Sequence, residues 1–433
     1  MQRIAVPPLD RRLQRRFTML VNSHLHAVSE LSAGVASLPG AGSAFAATQA
    51  AWRFLNNERV SFPALVEPLR AAGREGVAES HAKFALLAHD WCKLSYASGS
   101  KCDLMQLTHK TDIGYELTTS LLISADGGNP LAPMEMHLKT AEGMLSTRDP
   151  GSRRQAHLEQ MLPTMQASET WELSKPIVHV IDREADSVDH YRRWDADGHK
   201  FLIRADDRRV RWRGVSCTLS EVHTKLRRKQ QFQPAGPADY HGRKAELWIA
   251  ETEVVLYRPA KKNVAGKRFE RAGRPLELRL SIVEVRNAEG KVLAHWLLLS
   301  NVPPEWATSE HLAHCYYWRW RIESFFKLLK SHGQQLERWQ QETGPAIFRR
   351  LLIAAMACVT VWQLQADDSP AAHELKNVLI RLSGRQTKRN RPHTAPALLS
   401  GLWTLLSMLT LLEHYDLRTL KQLATKIPIL NSA

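Results

Sequence analysis

The alternation of apolar and polar positions divides the chain into stretches of different period. Residues 1 to about 75 follow helical spacing, interrupted by turn-forming residues at Leu38 to Gly42 and at Asn56-Asn57. Ser61 stands as an N-cap ahead of Phe62, Pro63 and the apolar positions beyond them. Short apolar runs bounded by polar residues then take over: Phe84 to Asp90, Leu117 to Ile123, Met134 to Leu138, Ile177 to Asp182 and Lys200 to Arg204. Their length and branched content predict strands, with helices between several of them, so this region reads as a mixed α/β sheet. From about 206 to 294 the pattern becomes alternating strands, Ala245 to Leu256 and Leu276 to Val285, separated by Gly, Pro and basic residues. That predicts an inserted β-rich subdomain with a polar, basic face. A buried strand, His295 to Ser300, leads through Pro303-Pro304 to a helix around Glu323. The remainder is helical, divided by the basic loop Ser383 to Pro392, and no internal repeat is visible. The expected organisation is therefore a helical region over 1–75, an α/β region over 76–344 that holds the insertion, and a helical region over 345–433.

The helix around Glu323 is patterned most tightly. At roughly 100° per residue, Tyr316, Arg319, Glu323, Lys327 and Lys330 fall within an arc of about 80°. Trp318, Ile322, Phe325, Phe326 and Leu329 occupy the opposite side. One continuous helix would thus carry a carboxylate, three cations and a phenol on a ridge anchored by an apolar face. Such a ridge suits a metal-bound phosphodiester, although Arg and Lys four residues to either side of a Glu also describe ordinary helical ion pairing.

Charge extends this picture to the whole chain. Lys and Arg number 59 against 44 Asp and Glu over 433 residues, a net charge of +15 that points to a polyanionic partner, most plausibly nucleic acid. Basic clusters recur at Arg11 to Arg16, Arg208 to Arg213, Lys225 to Lys229, Lys261 to Arg274 and Arg385 to Arg391, a spread that suits a long duplex footprint. The five cysteines are scattered without a Cys-x-x-Cys pair, which excludes a zinc ribbon and argues for a reducing cytoplasm. No signal peptide is visible, and the most apolar segments, Leu351 to Trp362 and Ala397 to Leu412, fall short of the roughly 20 residues of a membrane span. They are expected as buried or subunit-facing helices, with no membrane partner.

Two predicted strands end in aspartate, Asp90 and Asp182, and strand ends are where α/β sheets collect functional side chains. Arg183, Glu184 and Asp186 make the second site denser in charge than a helix cap requires. If Asp90, Asp182 and Glu323 converge, their mutual repulsion calls for a cation. All-oxygen ligation selects Mg²⁺ or Mn²⁺, and two such ions about 4 Å apart suit an in-line phosphoryl displacement. Tyr316, Arg319 and Lys330 would then hold phosphates beside the scissile bond.

These residues resemble the DDE transposases of the insertion-sequence-four group, and most of all its Tn-five members. The group's signature of Tyr, two residues, Arg, three residues, Glu, six residues and Lys is met by Tyr316, Arg319, Glu323 and Lys330. Ile181 to Asp186, Trp52 to Arg59 and Trp296 to Ser300 add to the likeness, which runs the length of the chain and weakens after about residue 345. The resemblance implies a ribonuclease-H-like catalytic core with a β insertion, a helical N-terminal DNA-binding region and a C-terminal helical region used in dimerisation. It implies Asp90, Asp182 and Glu323 as catalytic metal ligands, and a bacterial protein associated with DNA. It further implies cleavage at transposon ends through a hairpin, strand transfer to target DNA, and a synaptic homodimer on double-stranded terminal inverted repeats. By the same carry-over Trp296 stacks on a flipped base and Arg204 contacts DNA near it. Relatives carry small hydroxyl residues after the first Asp where this chain has Trp91, so Asp103 and Asp112 stand as alternatives to Asp90. Two other readings stay open: a non-catalytic DNA-binding relative, and a ribonuclease-H-like nuclease without strand transfer.

Overall fold

The computed structural model describes residues 5–26, 44–148, 157–240, 242–264, 267–331, 333–385 and 393–426. The turn expected at Leu38 to Gly42 and most of the basic cluster Arg385 to Arg391 lie outside them. The chain opens with helices α1 (Arg11–His26), α2 (Ala44–Leu55) and α3 (Phe62–Glu79), the last capped by Ser61, whose hydroxyl accepts from the Ala64 amide. Strands β1 (Ala85–Ser95), β2 (Met105–Gln106), β3 (Ile113–Ser124), β4 (Pro130–Lys139) and β5 (Met144–Ser146) follow. Next come α4 (His157–Ser168), β6 (Ile177–Ile181), α5 (Val188–Ala196) and β7 (Lys200–Arg204). The insertion supplies β8 (Arg209–Trp212), β9 (Val215–Thr218), α6 (Leu219–Arg228), β10 (Gln233–Tyr240), β11 (Arg243–Leu256), β12 (Ala260–Val264), β13 (Lys267–Arg271) and β14 (Leu276–Arg286). Then β15 (Val292–Ser300) precedes α7 (Ser309–Trp318), α8 (Arg321–Leu329), α9 (Gly344–Ala366), α10 (Pro370–Leu382), α11 (Ala395–His414) and α12 (Leu417–Ala424).

The strands expected from the apolar runs form one mixed sheet in the order β5-β4-β3-β1-β6-β7-β15-β14-β11-β8-β9, with β10 on β11 and β2 on β3. β3 runs antiparallel to β1 and β4 antiparallel to β3, whereas β6 is parallel to β1 and β7 parallel to β6. The insertion does not form a sheet of its own apart from the small β12-β13 hairpin: β14 and β11 continue the central sheet through β15, which pairs antiparallel with β7. The reason lies in the side chains, which alternate between two apolar layers. On β7, Leu202 joins one core while Phe201 and Ile203 join the other, and on β15 Trp296 and Leu298 oppose Leu297 and Leu299. Both faces of the extended sheet are therefore covered, the first by the N-terminal helices with α7 to α9, the second by α4, α5 and α6.

The two most apolar segments lie inside longer helices than their sequence limits suggest, of 23 and 20 residues, long and apolar enough to cross a membrane. Polar flanks such as Arg349 and Arg350 are drawn into α9, because interior carbonyls and rings accept them. Of its most apolar window 89% is buried within the protein, as expected of a core helix, whereas only 22% of the α11 window is buried.

Candidate active site

Asp182 directly follows β6, but Asp90 does not end its strand: β1 runs on to Ser95, because Trp91 to Ser95 stay paired with β3. The parallel register pairs His89 with Ile181, so the two carboxylates occupy the next positions of neighbouring strands. Each is oriented by its own backbone. Asp90 Oδ1 accepts from the Trp91 amide at 2.8 Å, and Asp182 Oδ1 accepts from the Arg183 amide at 2.5 Å, starting a short 3₁₀ turn. Asp186, four residues on, is bound by Arg208 at 2.6 Å, by the Tyr191 hydroxyl at 2.6 Å and by the Asp206 amide, and braces the loop instead of joining the site. The two alternatives to Asp90 are also committed elsewhere. Asp103 is buried, accepting from the Tyr115 hydroxyl and from the Gly344 amide at the start of α9, and Asp112 pairs with Lys93 at 2.9 Å.

The continuous helix expected around Glu323 is broken. α7 ends at Trp318, Arg319 and Trp320 form a tight turn with i to i−3 hydrogen bonds, and α8 restarts at Arg321. The turn is stabilised from both sides. His314 stacks on Trp318 at 5.7 Å, and the Arg321 Nε donates to the Gly128 carbonyl at 2.9 Å while Trp318 lies against Gly128. The ridge therefore runs from interior to surface: Tyr316 and Arg319 are buried, Glu323 and Lys330 half-buried, Lys327 exposed. Ile322, Phe325, Phe326 and Leu329 form the buried face, as the pattern predicts, while Trp318 is only half-buried.

The break brings Arg319, 3% exposed, to the three carboxylates. Its Nη1 lies 2.9 Å from Asp90 Oδ2, and its Nη2 lies 3.4 Å from Asp182 Oδ2 and 3.1 Å from Glu323 Oε1. Asp90, 229 positions before Arg319, thus shares its guanidinium with Asp182 and Glu323. Burial alone would lower the Arg319 pKa, but Tyr316 and the three carboxylates together hold it above its ordinary value. Burial also raises the Asp90 carboxyl above its ordinary value, with Arg319 opposing. Tyr316 donates to Asp182 Oδ1 at 3.4 Å and shares a hydrogen bond with Arg204, and burial pushes its hydroxyl up to about 12, so it stays a donor at neutral pH. Lys330 donates to the Lys93 carbonyl at 2.7 Å and pairs with Glu337 at 2.9 Å.

The donor set is three hard carboxylate oxygens with a cation already standing between them, which fits Mg²⁺ or Mn²⁺ far better than a soft metal. As they stand, among the described residues no group of three or more His, Cys, Asp or Glu is gathered closely enough to hold an ion. Trp296 is 4% exposed, its ring 5.3 Å from that of Tyr316, and it lines a cavity of about 310 Å³. Tyr240, Tyr317, Trp320, Arg321 and Lys327 also line that cavity.

Sequence reasoning missed the support beneath the carboxylates. His89, next to Asp90, bonds Ser120 at 2.9 Å and His179 at 3.0 Å, both rings buried and held below their ordinary pKa by burial. The available signal was a histidine interrupting an apolar run in each of two strands, His89 and His179. It also missed that two basic clusters merge: Arg213 and Lys225 both lie over the Trp212 ring, at 4.9 and 5.5 Å.

Compared with known proteins, the chain matches the family described as Transposase DDE domain over residues 140–360, more than half its length, and the family described as Transposase DNA-binding over residues 9–60. The first match takes in Asp182 and Glu323 and begins beyond Asp90. No curated protein matches the chain. Among solved structures, the piggyBac transposase in a synaptic complex with hairpin DNA is similar at 11% identity with a TM-score of 0.36, over 96% of this chain and 74% of that one.

Proposed function

This chain belongs to the DDE transposase family, and on that premise we propose that it is an active cut-and-paste enzyme of the insertion-sequence-four group, related to its Tn-five members. It is a DNA-binding transposase. The observation that carries it is the meeting of Asp90, Asp182 and Glu323 on one guanidinium. In this reading the three carboxylates are the metal ligands. The strand order β4-β3-β1-β6-β7, with β3 and β4 antiparallel and β6 and β7 parallel, supports a ribonuclease-H-like core.

Bound to these carboxylates, Mg²⁺ or Mn²⁺, two ions in the expected arrangement, would activate a water or 3′-hydroxyl and stabilise the leaving oxygen. The chain's own residues do the rest. Tyr316, as a protonated donor, orients Asp182, and Arg204 reaches the same hydroxyl from the end of β7. Lys330, at the mouth of the site, offers a point charge to a phosphate once Glu337 yields. The aromatic walls of the cavity beside Trp296 accept an extruded base, whose lost stacking they offset by about 1 to 3 kcal/mol. With a base extruded there, cleavage proceeds through a hairpin and is followed by strand transfer to target DNA. The exposed Trp52, Arg53 and Arg59 of the N-terminal region bind the terminal inverted repeats, and the little-buried α11 in the C-terminal region serves a homodimer in the synaptic complex.

The test is cleavage of terminal inverted-repeat DNA with Mg²⁺. Wild type is expected to form hairpinned ends, and Glu323→Gln to abolish them while leaving DNA binding intact. Normal cleavage by the variant would refute the ligand assignment, and hydrolysis without hairpins or joining would favour a plain nuclease.

A further inference from the structure

Resting on that reading of the carboxylates, we propose that Arg319 is an internal counter-cation that competes with the divalent metal, so that a DNA phosphate loads the site by drawing the guanidinium away. Three observations converge. Both terminal nitrogens of Arg319 are spent on Asp90, Asp182 and Glu323, at 2.9, 3.4 and 3.1 Å. The head group is enclosed, with the rings of Tyr316 and Trp320 at 5.8 and 5.7 Å, so it cannot be a mobile surface charge that happens to pass nearby. Its Nε is buried without a hydrogen-bond partner, so the arrangement leaves one donor of the fork unused.

The physical consequence follows from charge. One guanidinium offsets only part of the repulsion among three carboxylates, so the site still attracts a divalent ion. A divalent ion entering beside the guanidinium, however, meets a like charge in a poorly solvated space. The two cations are therefore mutually exclusive occupants of the same oxygens. Guanidinium binds phosphate bidentately about as well as it binds carboxylate, so a phosphodiester arriving beside Trp320, which is 39% exposed, gives Arg319 another partner and frees the carboxylates. The turn at Arg319-Trp320, between α7 and α8, is the element that can carry this movement. By linkage, DNA and metal then raise each other's affinity by one common factor. Metal chemistry in the absence of DNA is suppressed as a result.

The experiment titrates the full-length protein with Mn²⁺ and reads free Mn²⁺ by electron paramagnetic resonance, with and without terminal-repeat duplex. Wild type is expected to bind Mn²⁺ at least about tenfold more tightly with DNA than without, within the usual range of coupling between sites. Arg319→Met is expected to bind tightly without DNA and to lose most of the DNA effect, whereas Arg319→Lys keeps part of it. Equal Mn²⁺ affinity of wild type with and without DNA overturns the proposal even if Arg319→Met does not fold. So does an Arg319→Met protein that binds no more tightly than wild type. Asp182→Asn and Glu323→Gln separate the two failures. If they do not weaken Mn²⁺ binding, the ligand assignment itself is wrong; if they do, only the competition is refuted.

Discussion

Arg349 offers the sharpest test of how the DNA-binding region is joined to the body of the protein. It lies on α9 and is 7% exposed, yet its guanidinium donates to the carbonyls of Val60 at 2.7 Å and Leu55 at 3.0 Å, with the Phe62 ring 5.1 Å away. It therefore closes the C-terminal end of α2 and fixes the path into α3 from a position 289 residues downstream. Burial lowers its pKa, opposed by Glu58. Arg349→Met keeps the apolar stem but removes two charge-assisted bonds worth about 1.5 to 3 kcal/mol each. Release from burying a cation returns part of this, so the expected net loss is about 2 to 4 kcal/mol. Urea unfolding should show that loss, and terminal-repeat DNA should bind more weakly because residues 9–60, which match transposase DNA-binding regions, are no longer anchored at Leu55 and Val60. A loss below about 0.5 kcal/mol, the scatter of ordinary surface changes, would refute this reasoning.

Two further outcomes test the site's supports. Gly128 has φ +67° and a Cβ there would meet the Trp318 indole at 2.2 Å, so Gly128→Ala should lower stability by about 2 to 4 kcal/mol through strain and overpacking, read as a fall in Tm. Asp90 is raised from 3.8 chiefly by burial, with Glu323 adding to the rise and Arg319 opposing it. Between 3.8 and that raised value the native state holds more protons than the unfolded chain, so this group's contribution to stability falls as pH rises through the window. The stability of Asp90→Asn relative to wild type should therefore increase with pH above about 4 and then level off, as urea midpoints across pH 4 to 7 would record; a trend of opposite sign would mean that Arg319 outweighs burial.

Local chemistry alone made much of this protein readable. Short continuous apolar runs located β1, β3, β4, β6 and β7, because a strand buried on both faces must be apolar along its length whatever its neighbours. Ser61 declared its cap through a side chain acting three residues away, and the apolar stripe of α8 needed only helical geometry. The Asp90, Asp182 and Glu323 candidates came from the same local signals. What periodicity could not supply were contacts between distant segments. The helix break at Arg319-Trp320 depends on Gly128, 193 residues before Arg321, and the burial of Arg319 depends on Asp90 in the middle of β1 and Asp182 just after β6. The insertion's union with the central sheet required β15 to pair with β7 and β14, which no pattern within either segment encodes. Sequence determined which residues could be ligands and cations, since that is side-chain chemistry; tertiary structure decided that the arginine faces the carboxylates instead of solvent, since only packing sets which charges share a dry space.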